Sequence, residues 1–302
     1  MQEIWTIQAL VEWTTNRFAR EGFEHPRLEA EVLLAHVLDA DRVHLYVNYH
    51  QPVNQEERQR FRELVHRRLQ GQPVAYLVGY REFYSLRFEV GPGVLVPRPE
   101  TELLVDVVLD LAGRGEPSHC IADVGTGSGA IAVTLARHLP RSSLWAIDLS
   151  APALDIAQRN IARHGVEERV TLLHGDLLEP LEKRGLALDM VVANLPYVPS
   201  AEASELGKGL LRYEPRVALD GGHDGLALYR RLIPQAGRML VPGGYLVVEI
   251  DHRQGQAMLG LLQEFSEVSV LPDLTGRDRV VVARKGGAES ADPLLQGRPP
   301  LP

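Results

Sequence analysis

The chain has 302 residues, 45% of them hydrophobic and 24% charged, enough apolar material for one large core or two modest ones, which excludes a disordered or low-complexity protein. Lys and Arg total 32 against 40 Asp and Glu, a formal net charge of −8, so no bulk attraction draws the chain to a phosphate backbone or an anionic membrane. The single cysteine, Cys120, excludes an intrachain disulfide and any multi-cysteine zinc or iron–sulfur site, no run approaches the roughly 18 apolar residues of a membrane span, and the opening MQEIW lacks the pattern of a signal peptide, so a cytoplasmic protein is expected.

The first 70 or so residues carry helical periodicity. Thr6 is placed to cap a helix bearing Ile7, Leu10, Val11 and Phe18. A second helix is predicted near 27–40 with Leu28, Val32, Leu34, Ala35 and Leu38 inward. Asn54 with Glu57 three residues on predicts a capping box, followed by Phe61, Leu64, Val65 and Leu69 at helical spacing and Gly71 as a stop. Arg58, Arg60, Arg62, Arg67 and Arg68 make this helix basic: a solvated face on one reading, a docking surface for acidic parts of a protein partner on the other. From 73 to about 95 the pattern changes to short β-like runs, with Phe88 and Val90 on one face, which predicts a hairpin linker ending in VLVPRPETE. Within that string, Arg98 and Glu100 either shape a substrate channel or form a buried ion pair that fixes the linker.

Beyond residue 100, apolar runs alternate with helical segments: IADV, LWAID, VTLLH, LDMVVAN, YLVVEI, VSVLP and RVVVAR. Such alternation predicts an α/β fold with a mainly parallel sheet covered by helices on both faces. Ser150 is placed to cap a helix with Pro152 in its first turn, and Gly243-Gly244 to break the chain before the fifth strand. The final GGAESADPLLQGRPPLP has no period and predicts a disordered tail over 286–302.

The segment Asp123-Val124-Gly125-Thr126-Gly127-Ser128-Gly129 lies between a buried strand and a helix. A dinucleotide site would want G-x-G-x-x-G; here the third glycine comes one residue early and an acid precedes the first by two. D-x-G-x-G-x-G resembles the first motif of S-adenosylmethionine-dependent methyltransferases, whose cofactor has no phosphate to cradle. Asp148 ends the next strand, where a carboxylate can accept hydrogen bonds from ribose hydroxyls. Asp176 ends the third strand, with Leu177 beside it, and fits a carboxylate near an adenine amino group; Gly-Asp is also ordinary turn chemistry.

The fourth strand delivers Asn194-Leu195-Pro196-Tyr197 at its carboxyl end, where ligands of open α/β sheets bind. A planar amide or exocyclic amine is a poor nucleophile because its lone pair is delocalised, so positioning must carry the reaction. The side-chain oxygen of Asn194 and the carbonyl of Leu195 can accept the two N–H hydrogens, Pro196 can stiffen that carbonyl, and Tyr197 can pack on the planar group. As a bland alternative, Asn-x-Pro-Tyr is a turn after a strand. Tyr213, Glu214 and Arg216 are further candidates to line the site, with no defined role. The histidines show no ligand spacing, and no metal is expected.

Together GQPVAYLVGYREFYSLRFEV, VLVPRPETE, DVGTGSGAIAV, ANLPYV, RYEPRVALDGG and GRDRVVVARK make the chain similar to the peptide-chain release factor N5-glutamine methyltransferases over most of residues 1–285. The resemblance implies an all-helical substrate-recognition domain over 1–72, a β-hairpin linker over 73–98 and a seven-stranded, Rossmann-like class I methyltransferase domain over 99–285. It implies S-adenosyl-L-methionine as cofactor, held by Gly125, Thr126, Gly127, Ser128, Gly129, Asp148, Asp176, Leu177 and Asn194. It implies Asn194, Leu195, Pro196 and Tyr197 as catalytic residues, acting on the glutamine amide of the Gly-Gly-Gln motif in class-1 release factors. A monomer that binds neither membrane nor nucleic acid directly is expected. Two departures stand out: the family's tetrad is usually Asn-Pro-Pro-Tyr, and an aromatic residue often stands at the position of Leu177. Asn-Leu-Pro-Tyr also occurs in adenine dimethyltransferases that act on ribosomal RNA, so an adenine-N6 or cytosine-N4 nucleic-acid methyltransferase is the alternative. A third possibility is a catalytically silent module that senses the cofactor or docks on translation factors.

Overall fold

The computed structural model describes residues 5–113, 118–206 and 210–287. The residues form two compact units, Met1–Tyr80 with Glu205–Tyr213, and Arg81–Ser204 with Glu214–Pro302. No helix among the described residues is long and apolar enough to cross a membrane.

The smaller unit contains α1 (Ile7–Arg20), α2 (Pro26–Val37), α3 (Arg42–Val47), α4 (Gln55–Leu69) and α5 (Val74–Val78). Thr6 caps α1 by accepting from the amide of Ala9, and Asn54 and Glu57 form the reciprocal capping box of α4. Its core gathers Ile7, Phe18, Leu33, Leu34, Phe61 and Val65. The predicted face of α2 is partly wrong. Leu28 is 43% exposed, whereas Leu33 is fully buried and Glu31 also turns inward. Glu31 tolerates burial because Arg27, Arg42 and Tyr46 donate to its carboxylate at 2.7–3.0 Å. Arg68, counted above with the basic face of α4, is instead paired with Glu29 at 2.7 Å and stacked over Phe23. The short helix α3 escaped prediction because six residues are too few to show a period.

The larger unit opens with a hairpin, β1 (Tyr80–Phe83) and β2 (Leu86–Glu89), turning on Tyr84 and Ser85, both at positive φ. The segment predicted as a hairpin linker therefore divides: α5 occupies 74–78, and the hairpin is fastened to the larger unit. Phe83 and Phe88 lie in that unit's core, and Asn160 bonds both backbone groups of Glu89. After a 3-10 turn at Pro99–Thr101 come α6 (Glu102–Ala112), β3 (Cys120–Val124), α7 (Ala130–His138), β4 (Ser143–Asp148), α8 (Ala151–Arg163), β5 (Val170–His174) and α9 (Glu179–Glu182). The chain continues through β6 (Leu188–Ala193), α10 (Ser200–Leu206), α11 (Ala227–Met239), β7 (Leu240–Glu249), α12 (Gly255–Leu261), β8 (Glu267–Pro272) and β9 (Asp278–Arg284). Gly243 and Gly244 do not precede β7 as predicted but sit inside it, where the pairing with β6 shifts register. A side chain on Gly244 would meet the carbonyl of Asp189 at 2.8 Å, so the bulge is built of glycine. Most of the predicted tail lies outside the described residues.

The seven strands run in the order β5-β4-β3-β6-β7-β9-β8, parallel from β5 to β7, with β9 antiparallel to both its neighbours. From β3 the chain first moves outward through β4 to β5, then returns to the other side of β3 to add β6. That reversal leaves a crevice at the carboxyl ends of β3 and β6, where open α/β sheets bind ligands.

Candidate active site

The glycine loop follows β3 and the Asn-Leu-Pro-Tyr tetrad follows β6, so the topology brings the two motifs to the same crevice. They touch: a side chain on Gly125, at φ +76°, would meet Leu195 Cδ2 at 2.9 Å. Gly127 faces open space within 4 Å at φ +55°, which leaves backbone and no side chain at the mouth of the loop. Gly129 is a packing residue, since a Cβ there would press on Ala157 of α8 at 3.3 Å.

Two carboxylates shape the loop. Asp123 is fully buried, and its Oδ2 accepts from the Thr126 hydroxyl at 2.6 Å and the Ala132 amide at 3.1 Å. Its Oδ1 is buried without a hydrogen-bond partner, and burial pushes the carboxyl up to about 7. Asp148, at the end of β4, accepts from the amides of Gly127 and Ser150, each at 2.8 Å. Burial raises its pKa against the pull of those amides. The side chains of Thr126 and Ser128 turn inward, so this loop offers a ligand its backbone. An acidic rim around an open glycine turn, with an unpartnered buried carboxylate oxygen behind it, suits a ligand with hydroxyl and cationic groups, not a phosphate.

Asp176 and Leu177 follow β5. Asp176 pairs with Arg231 of α11 at 2.5 Å, a partner the sequence did not suggest. Leu177 is buried at φ +50°, a left-handed conformation that a branched side chain adopts only when its surroundings impose it. Next to it, Gln235 of α11 accepts from the Leu178 amide at 2.9 Å.

Around the tetrad, the side chain of Leu195 lies in the core and its backbone is left at the crevice. The Asn194 amide nitrogen donates to Thr101 Oγ1 and to Glu249 Oε2, both at 3.0 Å. Among the described residues no group donates to Asn194 Oδ1 or to the Leu195 carbonyl. The Tyr197 hydroxyl donates to Glu249 Oε1 at 3.3 Å, and burial raises the phenol's pKa. Gln254 donates to the Tyr197 carbonyl at 3.0 Å, and Gly225, at φ +77°, packs so closely on that carbonyl that no Cβ fits. The loop holding Gly221 and Gly225 thus clamps the tetrad's backbone; a Cβ on Gly221 would lie 2.5 Å from the Pro196 carbonyl.

Sequence reasoning missed Thr101, Glu249, Tyr229 and Gln254. Tyr229 is fully buried on α11 and donates to the Glu249 carbonyl at 2.5 Å. The available signal was Glu249 itself, a lone acid in the apolar strand YLVVEI, because buried acids need partners. Of the two readings of PRPETE, the ion pair is present at Arg98, with Glu214 as its partner: the guanidinium meets the fully buried Glu214 side chain at 2.5 Å, and the same carboxylate accepts from the Val96 amide at 3.0 Å. That pair ties the VLVPRPETE segment to the stretch before the loop of Gly221 and Gly225. Glu214 thereby gains a structural role, and Arg216 binds Asp220 and Ser204 at the surface.

Chemically, two free acceptors on successive residues beside the glycine loop suit a planar –NH2 group, whose two hydrogens they can take so that its lone pair is held in one direction. No strong base points into the crevice from the tetrad; the buried carboxylate of Glu249 is occupied by donors.

A sheet of this order, with a glycine loop and a strand-end carboxylate at its switch point, defines a class I methyltransferase, an enzyme class whose methyl donor is S-adenosylmethionine. The fold is shared with the T. thermophilus 16S rRNA N2 G1207 methyltransferase (TM-score 0.51, 19% identity, 68% of this chain and 49% of that one). It is shared too with the catalytic domain of hMettl16 (TM-score 0.54, 17% identity, 69% of this chain and 77% of that one). A family model of the PrmC N-terminal domain matches residues 9–79, and one of a methyltransferase domain matches 121–213. The chain is 43% identical to the release factor glutamine methyltransferase of Geobacter sulfurreducens over 94% of its length and 98% of that protein's. It is 47% identical to that of Moorella thermoacetica over 91% and 97% of the two chains. The chain belongs to the release factor glutamine methyltransferase family.

Proposed function

We propose that this enzyme transfers a methyl group from S-adenosylmethionine to the side-chain amide nitrogen of the glutamine in the Gly-Gly-Gln motif of class-1 release factors. The observation that carries this reading is the pair of free acceptors, Asn194 Oδ1 and the Leu195 carbonyl, side by side at the switch point. A primary amide has two N–H hydrogens in one plane, and these two oxygens match them.

When bound, the cofactor supplies an electrophilic methyl on a sulfonium. The residues that would hold it are the backbone of Gly125, Thr126, Gly127, Ser128 and Gly129, with Asp148 for the ribose hydroxyls. Asp176 and Leu177 would border the adenine, with Arg231 fixing the carboxylate of Asp176. Asn194 and Leu195 orient the glutamine amide, Pro196 and the glycine clamp keep that carbonyl rigid, and Tyr197 packs against the amide plane. Catalysis rests on orientation and on removing water from a neutral nucleophile, with no covalent intermediate. The helical unit recognises the release factor, the chain acts as a cytoplasmic monomer, and it does not bind nucleic acid directly, in keeping with its net charge of −8.

The test is mass spectrometry of the Gly-Gly-Gln peptide after a purified class-1 release factor is incubated with enzyme and cofactor. The expected result is one added methyl on the glutamine side chain. An unmodified glutamine with a methyl elsewhere in the factor, or on added RNA, overturns the assignment.

A further inference from the structure

Glu249 ends β7 in the middle of the acceptor network and is 1% exposed. An ionised carboxylate can only accept, and the groups at its two oxygens are donors: Asn194 Nδ2 at 3.0 Å, the Tyr197 hydroxyl at 3.3 Å, and the Thr101 hydroxyl. Thr101, 5% exposed, accepts the other Asn194 Nδ2 hydrogen on its Oγ1 at 3.0 Å, and its hydroxyl favours the ionised form of Glu249. The two ends of an asparagine amide have nearly the same shape, so packing alone does not decide which one faces the crevice. Two acceptors behind it do.

We propose that Glu249 and Thr101 are positioning residues for methyl transfer: they take both hydrogens of the Asn194 amide nitrogen and so keep Oδ1, an acceptor, turned toward the substrate nitrogen. This rests on the reading of Asn194 as the residue that binds the substrate amide. Neither residue touches substrate; both act through Asn194. The arrangement answers a particular difficulty of the reaction. With Asn194 turned over, its own N–H would face the N–H of the substrate, and the lone pair would lose the alignment on which the transfer depends.

The device is sensitive to protonation. Protonation turns one carboxyl oxygen from an acceptor into a donor, which removes the requirement that every neighbour donate and lets Asn194 invert with Oδ1 inward. The charged and titratable groups around it are Arg279 of β9, which favours the ionised form, Glu100 of the 3-10 turn, which opposes it, and Tyr197 after β6; from α11 the Tyr229 hydroxyl reaches the Glu249 backbone carbonyl. Burial is the largest influence and pushes the carboxyl up to about 7. The ionised form is the competent one, so turnover falls as pH drops through that value.

The experiment compares full-length wild type, Glu249→Gln, Thr101→Val, Thr101→Ser and Asn194→Ala in steady-state methylation of a class-1 release factor between about pH 6 and 9, with cofactor affinity measured in parallel. In wild type the rate has an acid limb near neutrality. Glu249→Gln lowers kcat by about tenfold or more at alkaline pH, leaves KM and cofactor affinity within about twofold, and abolishes the acid limb. Thr101→Val lowers kcat in the same way, and Thr101→Ser recovers most of that loss. A Glu249→Gln enzyme that keeps wild-type kcat, or that loses activity only in proportion to folded protein with the acid limb intact, overturns the proposal. Asn194→Ala separates the two levels: if it remains active, the underlying reading of the tetrad fails; if it is inactive while Glu249→Gln behaves as wild type, only the positioning role fails.

Discussion

On the β3–β5 side of the crevice, the groups proposed to meet the cofactor belong to short contiguous turns, and much of their support is local: Asp123 holds Thr126 and Ala132, and Asp148 holds Ser150, while Gly127 on Asp148 and Arg231 on Asp176 are the contacts made across the chain. On the β6–β7 side, the four residues of the tetrad are held by groups from five separate segments. Thr101 and Glu249 fix the side chain of Asn194, Tyr229 the end of β7, and Gln254 with the loop of Gly221 and Gly225 the backbone beyond. The first kind of site can be read from a motif, because residues that act together are adjacent in the chain. The second exists only once the sheet has formed. The difference suits the two tasks: a cofactor is bound by a standard turn, whereas aligning a weak nucleophile needs a rigid frame assembled from many directions.

If the frame of the tetrad is as stiff as its contacts indicate, Gly225→Ala has the largest effect of the substitutions outside the tetrad. Its Cβ would run into the Tyr197 carbonyl at a backbone φ of +77°, so turnover falls by about a hundredfold, with a loss of roughly 3 kcal/mol in denaturant-measured stability. Cofactor affinity, measured by calorimetry, changes far less; an equal loss there would break the distinction between the two sides. Asp148→Ala works in the opposite sense. Removing a carboxylate that bonds two loop amides weakens cofactor binding by about 10- to 100-fold, with kcat at saturating cofactor little changed.

The smallest effect is on stability alone. The Asp123 carboxyl is pushed up to about 7 in the fold by burial, against about 3.9 in an unfolded chain. A raised acid binds its proton more tightly when folded, so its contribution to stability is fully present below about pH 4 and is lost as pH rises toward 7. Asparagine does not titrate and can keep the bonds to Thr126 and Ala132. Asp123→Asn therefore raises the Tm of the cofactor-free enzyme by a few degrees more at pH 8 than at pH 5. A difference in Tm that is the same at both pH values contradicts the assignment.

The same contrast explains what the sequence disclosed. Strands β3 to β6 and the capped helices α1, α4 and α8 were legible because each carries its own period and its own stop signal. The glycine loop and the tetrad were legible as strings, and the α/β topology then accounts for why they meet. Illegible were features whose cause lies elsewhere in the chain: the inward turn of Glu31, supported by three donors from α2 and α3; the bulge at Gly243-Gly244, imposed by Asp189 on the neighbouring strand; and the Arg231 partner of Asp176, which comes from α11. Glu249 belongs to that group. Its strand reads as apolar, and only the packed structure brings Asn194, Tyr197 and Thr101 to its oxygens.

In the proposed division of labour, Asn194 reads the substrate amide while the glycine loop and strand-end carboxylates hold the cofactor. Asn194→Ala, measured for cofactor affinity by calorimetry and for methyl transfer to a release factor on the same preparation, tests it most directly. The expected result is cofactor affinity within about tenfold of wild type and turnover reduced by a factor of about a thousand. Near-normal turnover, or a loss of turnover fully explained by lost cofactor binding, would contradict it.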